Sequence, residues 1–163
     1  MDNTYLCHYG VKGQKWGVIR KLRNTDHTMR LQSLSAAAYR YDAKAKSSTG
    51  KRRSFYENIR DRKIKRAEKH SSRIQGPLSS VDIHRSMAMG SKFLKKYDGK
   101  KMSSSDVLEY GAKAQKWFND AADARNRNSS VTYRNGRYYR HTRTGDYNAD
   151  MASRGYSYYK KDE

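Results

Sequence analysis

Leu31-Gln32-Ser33-Leu34-Ser35-Ala36-Ala37-Ala38-Tyr39-Arg40-Tyr41-Asp42-Ala43-Lys44-Ala45 is the stretch on which the reading of the fold turns. Leu31, Leu34, Ala38, Tyr41 and Ala45 recur at spacings of three and four. At about 3.6 residues per turn those spacings put them on one side of a helix. The pattern predicts an amphipathic helix over 27–46, stopped by Ser47-Ser48-Thr49-Gly50.

Downstream, a second helix is expected over 52–71, with Phe55, Tyr56, Ile59, Ile64 and Ala67 as its thin apolar side. Gly76-Pro77, which holds the only proline of the chain, ends that segment and is the best boundary candidate. Ser79 followed by Asp82 resembles a capping box with Asp in place of Glu. It opens a third helix whose stripe is Ile83, Met87, Gly90, Leu94 and Tyr97, closed by Asp98-Gly99. Asp106 with Glu109 opens a fourth, running to about Asn126, with Leu108, Ala112, Gln115, Phe118 and Ala122 on one face. From Val131 to Arg140 the residues alternate around Asn135-Gly136, which is a hairpin signal. A lone hairpin is marginal in water, so this one is expected to pack on the helices, another chain or a ligand.

Upstream, the first 25 residues show no helical period, and Gly10, Gly13 and Gly17 punctuate them as an irregular, tightly turned segment. The expected fold is therefore mainly α: about four amphipathic helices in a small or extended bundle, an irregular Gly-rich N-terminal segment and a C-terminal β-hairpin. Three regions follow: a docking segment over 1–25, a helical region over 26–128, and a Tyr/Arg-rich hairpin and tail over 129–163.

Charge narrows the class of partner. Lys and Arg number 36 against 16 Asp and Glu, a formal charge of +20. Such a charge steers association toward polyanions without specifying a fold. The excess is steepest in the first half, where residues 1–76 carry 19 basic and 6 acidic side chains. Hydrophobic residues make up only 35%, and 14 of them are tyrosines. A chain so poor in aliphatics and so self-repelling is expected to need a partner for full order. Cys7 is the only cysteine, which excludes an intramolecular disulfide and a cysteine-based metal cage. No apolar run follows Met1 and none reaches 18 residues, so neither a secretory leader nor a membrane span is expected.

Between Lys51 and Arg73 there are ten basic residues and three acids. A solvated helix face would explain them without a function. So few acids leave pairing at i,i+4 unable to neutralise the run, however, and contact with a polyanion is the favoured reading. Lys51, Arg52, Arg53, Arg62, Lys63 and Arg66 are the nucleic-acid contact candidates here. Arg134, Arg137, Tyr138 and Arg140 are those of the tail, where tyrosines can stack on bases and arginines neutralise phosphates. Tyr and Arg are equally favoured at protein–protein contacts, so an interfacial hairpin stands beside that reading.

His8-Tyr9-Gly10-Val11-Lys12-Gly13-Gln14-Lys15-Trp16-Gly17-Val18-Ile19-Arg20 is the most distinctive string. Its glycines allow close backbone approach, and Trp16 among cations suits docking into a partner's pocket or folding back as core. The string resembles a short segment, His-[His/Tyr]-Gly-[Ile/Val]-Lys-Gly-[Gln/Met]-Lys-Trp-Gly-Val-Arg, found near the start of many tailed-bacteriophage virion-associated proteins. His8, Gly10, Lys12, Gly13, Lys15, Trp16, Gly17 and Val18 match it. Ile19 departs from it, and the arginine arrives one place later at Arg20. The resemblance covers only about residues 5–20. It implies a sorting or docking tag, with His8, Gly10, Lys12, Gly13, Lys15, Trp16, Gly17 and Arg20 as the docking residues, and incorporation into a phage particle.

Catalysis finds little support. His8, His27, His70, His84 and His141 are scattered without metal-ligand spacing, and no paired carboxylates, phosphate-binding loop or nucleophile elbow is present. The expected function is that of a non-enzymatic bacteriophage virion structural protein: a head, portal-vertex or connector, or internal component, made in the host cytoplasm. It would bind other virion proteins and packaged double-stranded DNA, act as an oligomer in the particle, and need no cofactor, metal or membrane. The alternatives are a non-virion basic nucleic-acid-binding protein, and a toxin or enzyme cargo packaged in the virion.

Overall fold

The computed structural model describes residues 16–76 and 99–156, with side chains from Asn24 onward. Helix α1 (Trp16–Lys46) and helix α2 (Gly50–Ser71) are joined by three residues. So short a connection forces them into antiparallel neighbours. Helix α3 (Ser104–Arg127) packs mainly on α1 and more lightly on α2. Strands β1 (Ser129–Arg134) and β2 (Arg137–Thr142) form one antiparallel hairpin, and helix α4 (Thr144–Ser153) returns onto α3. The mainly α architecture with a C-terminal hairpin is the one expected. The third predicted helix, over 79–99, lies outside the described residues apart from Gly99.

Four features differ from expectation. Helix α1 begins at Trp16, so residues 16–25, read as irregular, are helical. The reason lies in what α1 buries. Asn24, Thr28, Leu31, Ser35, Ala38, Asp42 and Ala45 are all buried and alternate at spacings of four and three. That is the seam of a helix gripped on two sides. Four of its seven members are polar, among them both that precede Leu31, so a search for apolar periodicity sees the seam only from Leu31 on. Leu34 is half-buried against the core and Tyr41 is half-buried.

Helix α3 opens one turn earlier than expected. Ser103 caps it, accepting the Asp106 N–H at 3.2 Å and donating to the Asp106 carboxylate at 2.6 Å. Asp106 thus serves in the cap's third position. The buried face of α3 is also rotated from the predicted one: Val107, Tyr110, Ala114, Ala121 and Ala124 are buried, whereas Ala122 is exposed. Helix α4, within a region read as hairpin and tail, was not expected.

The core is small and centred on α1. Leu31 and Ala38 of α1 meet Ile64 and Ala67 of α2, Ile74 and Met102 of the connecting segments, and Val107 and Tyr110 of α3. Small residues hold α1 and α3 close together. A Cβ on Gly111 would lie 2.1 Å from the Ser35 carbonyl oxygen and 2.7 Å from its carbon, so only glycine fits that crossing.

Polar ties complete the assembly. Asn24 donates to the Gln75 carbonyl at 2.8 Å and accepts the Gln75 N–H at 3.2 Å. The Gly99 N–H donates to the Ile74 carbonyl at 2.8 Å, and the Met102 N–H to Ser71 Oγ at 2.9 Å. Asp42 of α1 receives Lys46 at 2.7 Å and Arg60 of α2 at 3.1 Å. Burial alone would raise its carboxyl pKa, but those two cations outweigh burial and hold it below the ordinary 3.8.

A second, smaller cluster holds α4. Met151 packs with Ala121 and Ala124 of α3, flanked by Trp117, Tyr147 and Tyr156. Asp150 accepts from Asn128 at 3.1 Å and pairs with Arg127 at 3.3 Å and Arg154 at 3.2 Å. Asp120 takes Arg154 at 2.9 Å and the Tyr156 hydroxyl at 2.6 Å.

Candidate nucleic-acid interface

Helix α2 sorts its charges by face. At about 100° per residue, Lys51, Arg62, Arg66 and Lys69 fall within about 60° of one another. Lys51, Arg62, Arg66 and Lys69 are all exposed, and Phe55, 60% exposed, sits in the same sector. Ile64, Ala67, Glu68 and Ser71 are buried on the opposite side. Glu57, Asp61 and Glu68, the three acids of the segment, share a separate sector about 40° wide. Each is already engaged: Glu57 by Arg53 at 2.9 Å, Asp61 by Arg60 at 2.8 Å, and Glu68 by Lys101 at 2.9 Å. Among the described residues, Lys51, Arg62, Arg66 and Lys69 have no acidic partner.

Of the six candidates on this segment, then, Lys51, Arg62 and Arg66 lie together. Arg52 is exposed and Lys63 half-buried along the flank of that stripe. Arg53 points to the other side and is ion-paired. Lys69 and Arg73, which the sequence reading did not single out, extend the stripe. The spacing Arg62, Arg66, Lys69, Arg73 was the signal that would have found them, since steps of four, three and four keep one helical phase.

At this end of the stripe α1 and α2 enclose an open groove of about 670 Å³. Arg30, Arg66, Lys69 and Arg73 supply its positive walls, and Met29 and Leu34 its apolar lining. Asp26 also lines it and is paired with Arg30 at 3.1 Å. His27 and His70 meet across the two helices, Nδ1 to Nδ1, at 2.9 Å. Burial lowers the His70 pKa, and the charges of His27, Arg30 and Arg73 lower it further against the pull of Asp26.

The hairpin carries the other candidates. Asn135 and Gly136 both have positive φ, 50° and 72°, as the two-residue turn read from Asn-Gly requires. Directly opposed residues share a face, so Val131, Tyr133, Tyr138 and Arg140 lie on one side. Thr132, Arg134, Arg137, Tyr139 and His141 lie on the other. Tyr133 and Tyr138 meet as tilted rings with centroids 4.8 Å apart, and Arg140 donates to Asn126 at 2.6 Å. Arg134 and Arg137 face each other across the strands.

Of the docking residues, Trp16, Gly17 and Arg20 belong to the first two turns of α1. His8, Gly10, Lys12, Gly13 and Lys15 lie outside the described residues. Residues 1–22 match the model of a family of unknown function, DUF7211. The match is confined to the segment that contains the docking string and leaves the helical region and the hairpin uncovered. No curated protein and no solved structure matches the chain. Among the described residues no helix is long and apolar enough to cross a membrane, and no three His, Cys, Asp or Glu side chains gather as metal ligands.

Proposed function

We propose that this protein is a non-enzymatic structural component of a bacteriophage particle. It docks on neighbouring virion proteins through residues 8–20 and lays the outward face of α2 against packaged double-stranded DNA. The observation that carries the DNA part is the segregation of charge on α2, whose acids have partners of their own and leave the basic stripe unneutralised. From Lys51 to Lys69 the stripe runs about 27 Å along the helix, close to the rise of eight base pairs. The particle part rests on the resemblance of residues 8–20 to the segment carried by tailed-bacteriophage proteins.

Salt titration of binding to random-sequence duplex tests the first part. Four phosphates neutralised by Lys51, Arg62, Arg66 and Lys69 give a log–log slope of about −3.6. Arg62→Gln with Arg66→Gln flattens it by about 2 and weakens every sequence alike, whereas Arg53→Gln leaves the slope unchanged. A flat salt response overturns the nucleic-acid reading. Mass spectrometry of purified particles tests the second part, and absence of the chain from them overturns it.

A further inference from the structure

The hairpin has two chemically different faces, one mainly aromatic and the other polar and basic. Val131 and the Tyr133–Tyr138 ring pair dominate the first, and are 56%, 64% and 78% exposed. On the second, Thr132, Arg134, Tyr139 and His141 line a shallow concavity of about 380 Å³ with the turn residue Asn135, and Arg137 stands beside it. Between Ser129 and Thr142 there is no acidic residue. Like charges placed directly opposite on a sheet repel, so the Arg134–Arg137 pair disfavours the isolated hairpin and favours one with acceptors in front of it. Thr132 Oγ1 lies 3.0 Å from His141 Nε2, which ties that imidazole to its neighbour on the same face.

We infer that this face of the hairpin enters the major groove of duplex DNA and reads base edges, adding sequence preference to the non-specific contact of α2. The inference rests on the proposed DNA contact and deepens it. A two-stranded ribbon has strands about 5 Å apart, and the major groove, about 12 Å wide, admits one. Arg134 and Arg137, nearest the tip, reach deepest. A guanidinium there bonds the two acceptors of a guanine in a fixed fork, which an ammonium cannot reproduce. Thr132 can meet a thymine methyl. The aromatic face turns outward, toward protein.

Selection from a randomised duplex pool, followed by fluorescence anisotropy on the enriched and random duplexes, tests this with the full chain. The wild-type chain enriches a guanine-containing preference, and methyl green in the major groove competes while netropsin in the minor groove does not. Arg134→Lys with Arg137→Lys keeps the charge and the random-duplex affinity, but loses the preference by about tenfold or more. Both side chains are exposed, and unchanged circular dichroism checks the fold. Retained preference in the Lys variant overturns the inference, as does competition by netropsin alone or tighter binding to single strands than to duplex. If the α2 variants weaken binding and the hairpin variants change nothing, the hairpin inference alone falls. If neither set has an effect, the DNA reading falls with it.

Discussion

A methyl group at Gly111 would sit 2.1 Å from the Ser35 carbonyl oxygen, and because that obstacle is backbone, no change of rotamer removes it. Alanine gains about 1 kcal/mol of helix propensity over glycine, yet here α3 must move away from α1 and lose its contacts with Leu31 and Ala38. Overpacking of this kind costs about 1–3 kcal/mol. Gly111→Ala is therefore expected to lower Tm by about 3–9 °C, at about 3 °C per kcal/mol for a chain of this size. Ser35→Gly in the same chain does not restore the loss, since the clash is with an atom every residue carries. Tyr39→Ala restores nothing either, because the third contact, at 3.0 Å, is with the Tyr39 Cβ, which alanine keeps. Thermal melts of the three variants check the order, and a Gly111→Ala chain as stable as wild type would contradict the close crossing.

At the scale of elements, α1 and α2 are joined by a contact that pH can weaken. One of the two Nδ1 atoms of His27 and His70 must carry a proton and the other must not, or the 2.9 Å hydrogen bond cannot form. His70 titrates below its ordinary 6.5 in the folded chain, so the unfolded chain binds more protons as pH falls through that value. Stability is thus fully present above pH 6.5 and declines below it. Tm should fall between pH 7 and 5, and His70→Asn should flatten that limb while lowering the plateau. The element boundaries also mark what the sequence could say. Asn135-Gly136 announced its turn because only a few residue types accept positive φ, and the end of α2 at Ser71 was legible from its stop signals. The first turns of α1 were not, because Asn24 and Thr28 fill the seam with polar groups that bond to backbone rather than with apolar ones. The rotated face of α3 was missed for a related reason: Gly111 and Ala114 pack by being small, and an apolar tally gives them little weight. Helix α4 is held by Asp120 and Asp150, and apart from the i,i+4 pair of Asp150 with Arg154 their partners come from 22 to 36 residues away along the chain. No local pattern could disclose them. In the interface the identity of the cations was legible, but their sorting by face was not, because it depends on which side of α2 meets α1.

For the molecule as a whole, a charge of +20 on a modest core sets folding against self-repulsion. The described core contains few large aliphatic side chains, and four of its eight buried members are alanine, tyrosine or methionine rather than leucine, isoleucine or valine. Such a protein gains stability from whatever neutralises it. A duplex that binds the folded stripe but not the unfolded chain adds about 2.7 kcal/mol at a hundred times its Kd, which is about 8 °C in Tm. The gain is expected to shrink with added salt in step with the binding slope, because both follow from the same released counterions. It should also be lost on Arg62→Gln with Arg66→Gln, where the stripe no longer holds consecutive phosphates. Heparin, a polyanion without base edges, is expected to stabilise the wild-type chain similarly and to be indifferent to Arg134→Lys with Arg137→Lys. Thermal melts with duplex, with heparin and with neither, at low and high salt, measure all of this in one experiment. A Tm unmoved by saturating duplex would mean that the folded and unfolded chains bind DNA equally, and that the order of charges on α2 plays no part in the contact.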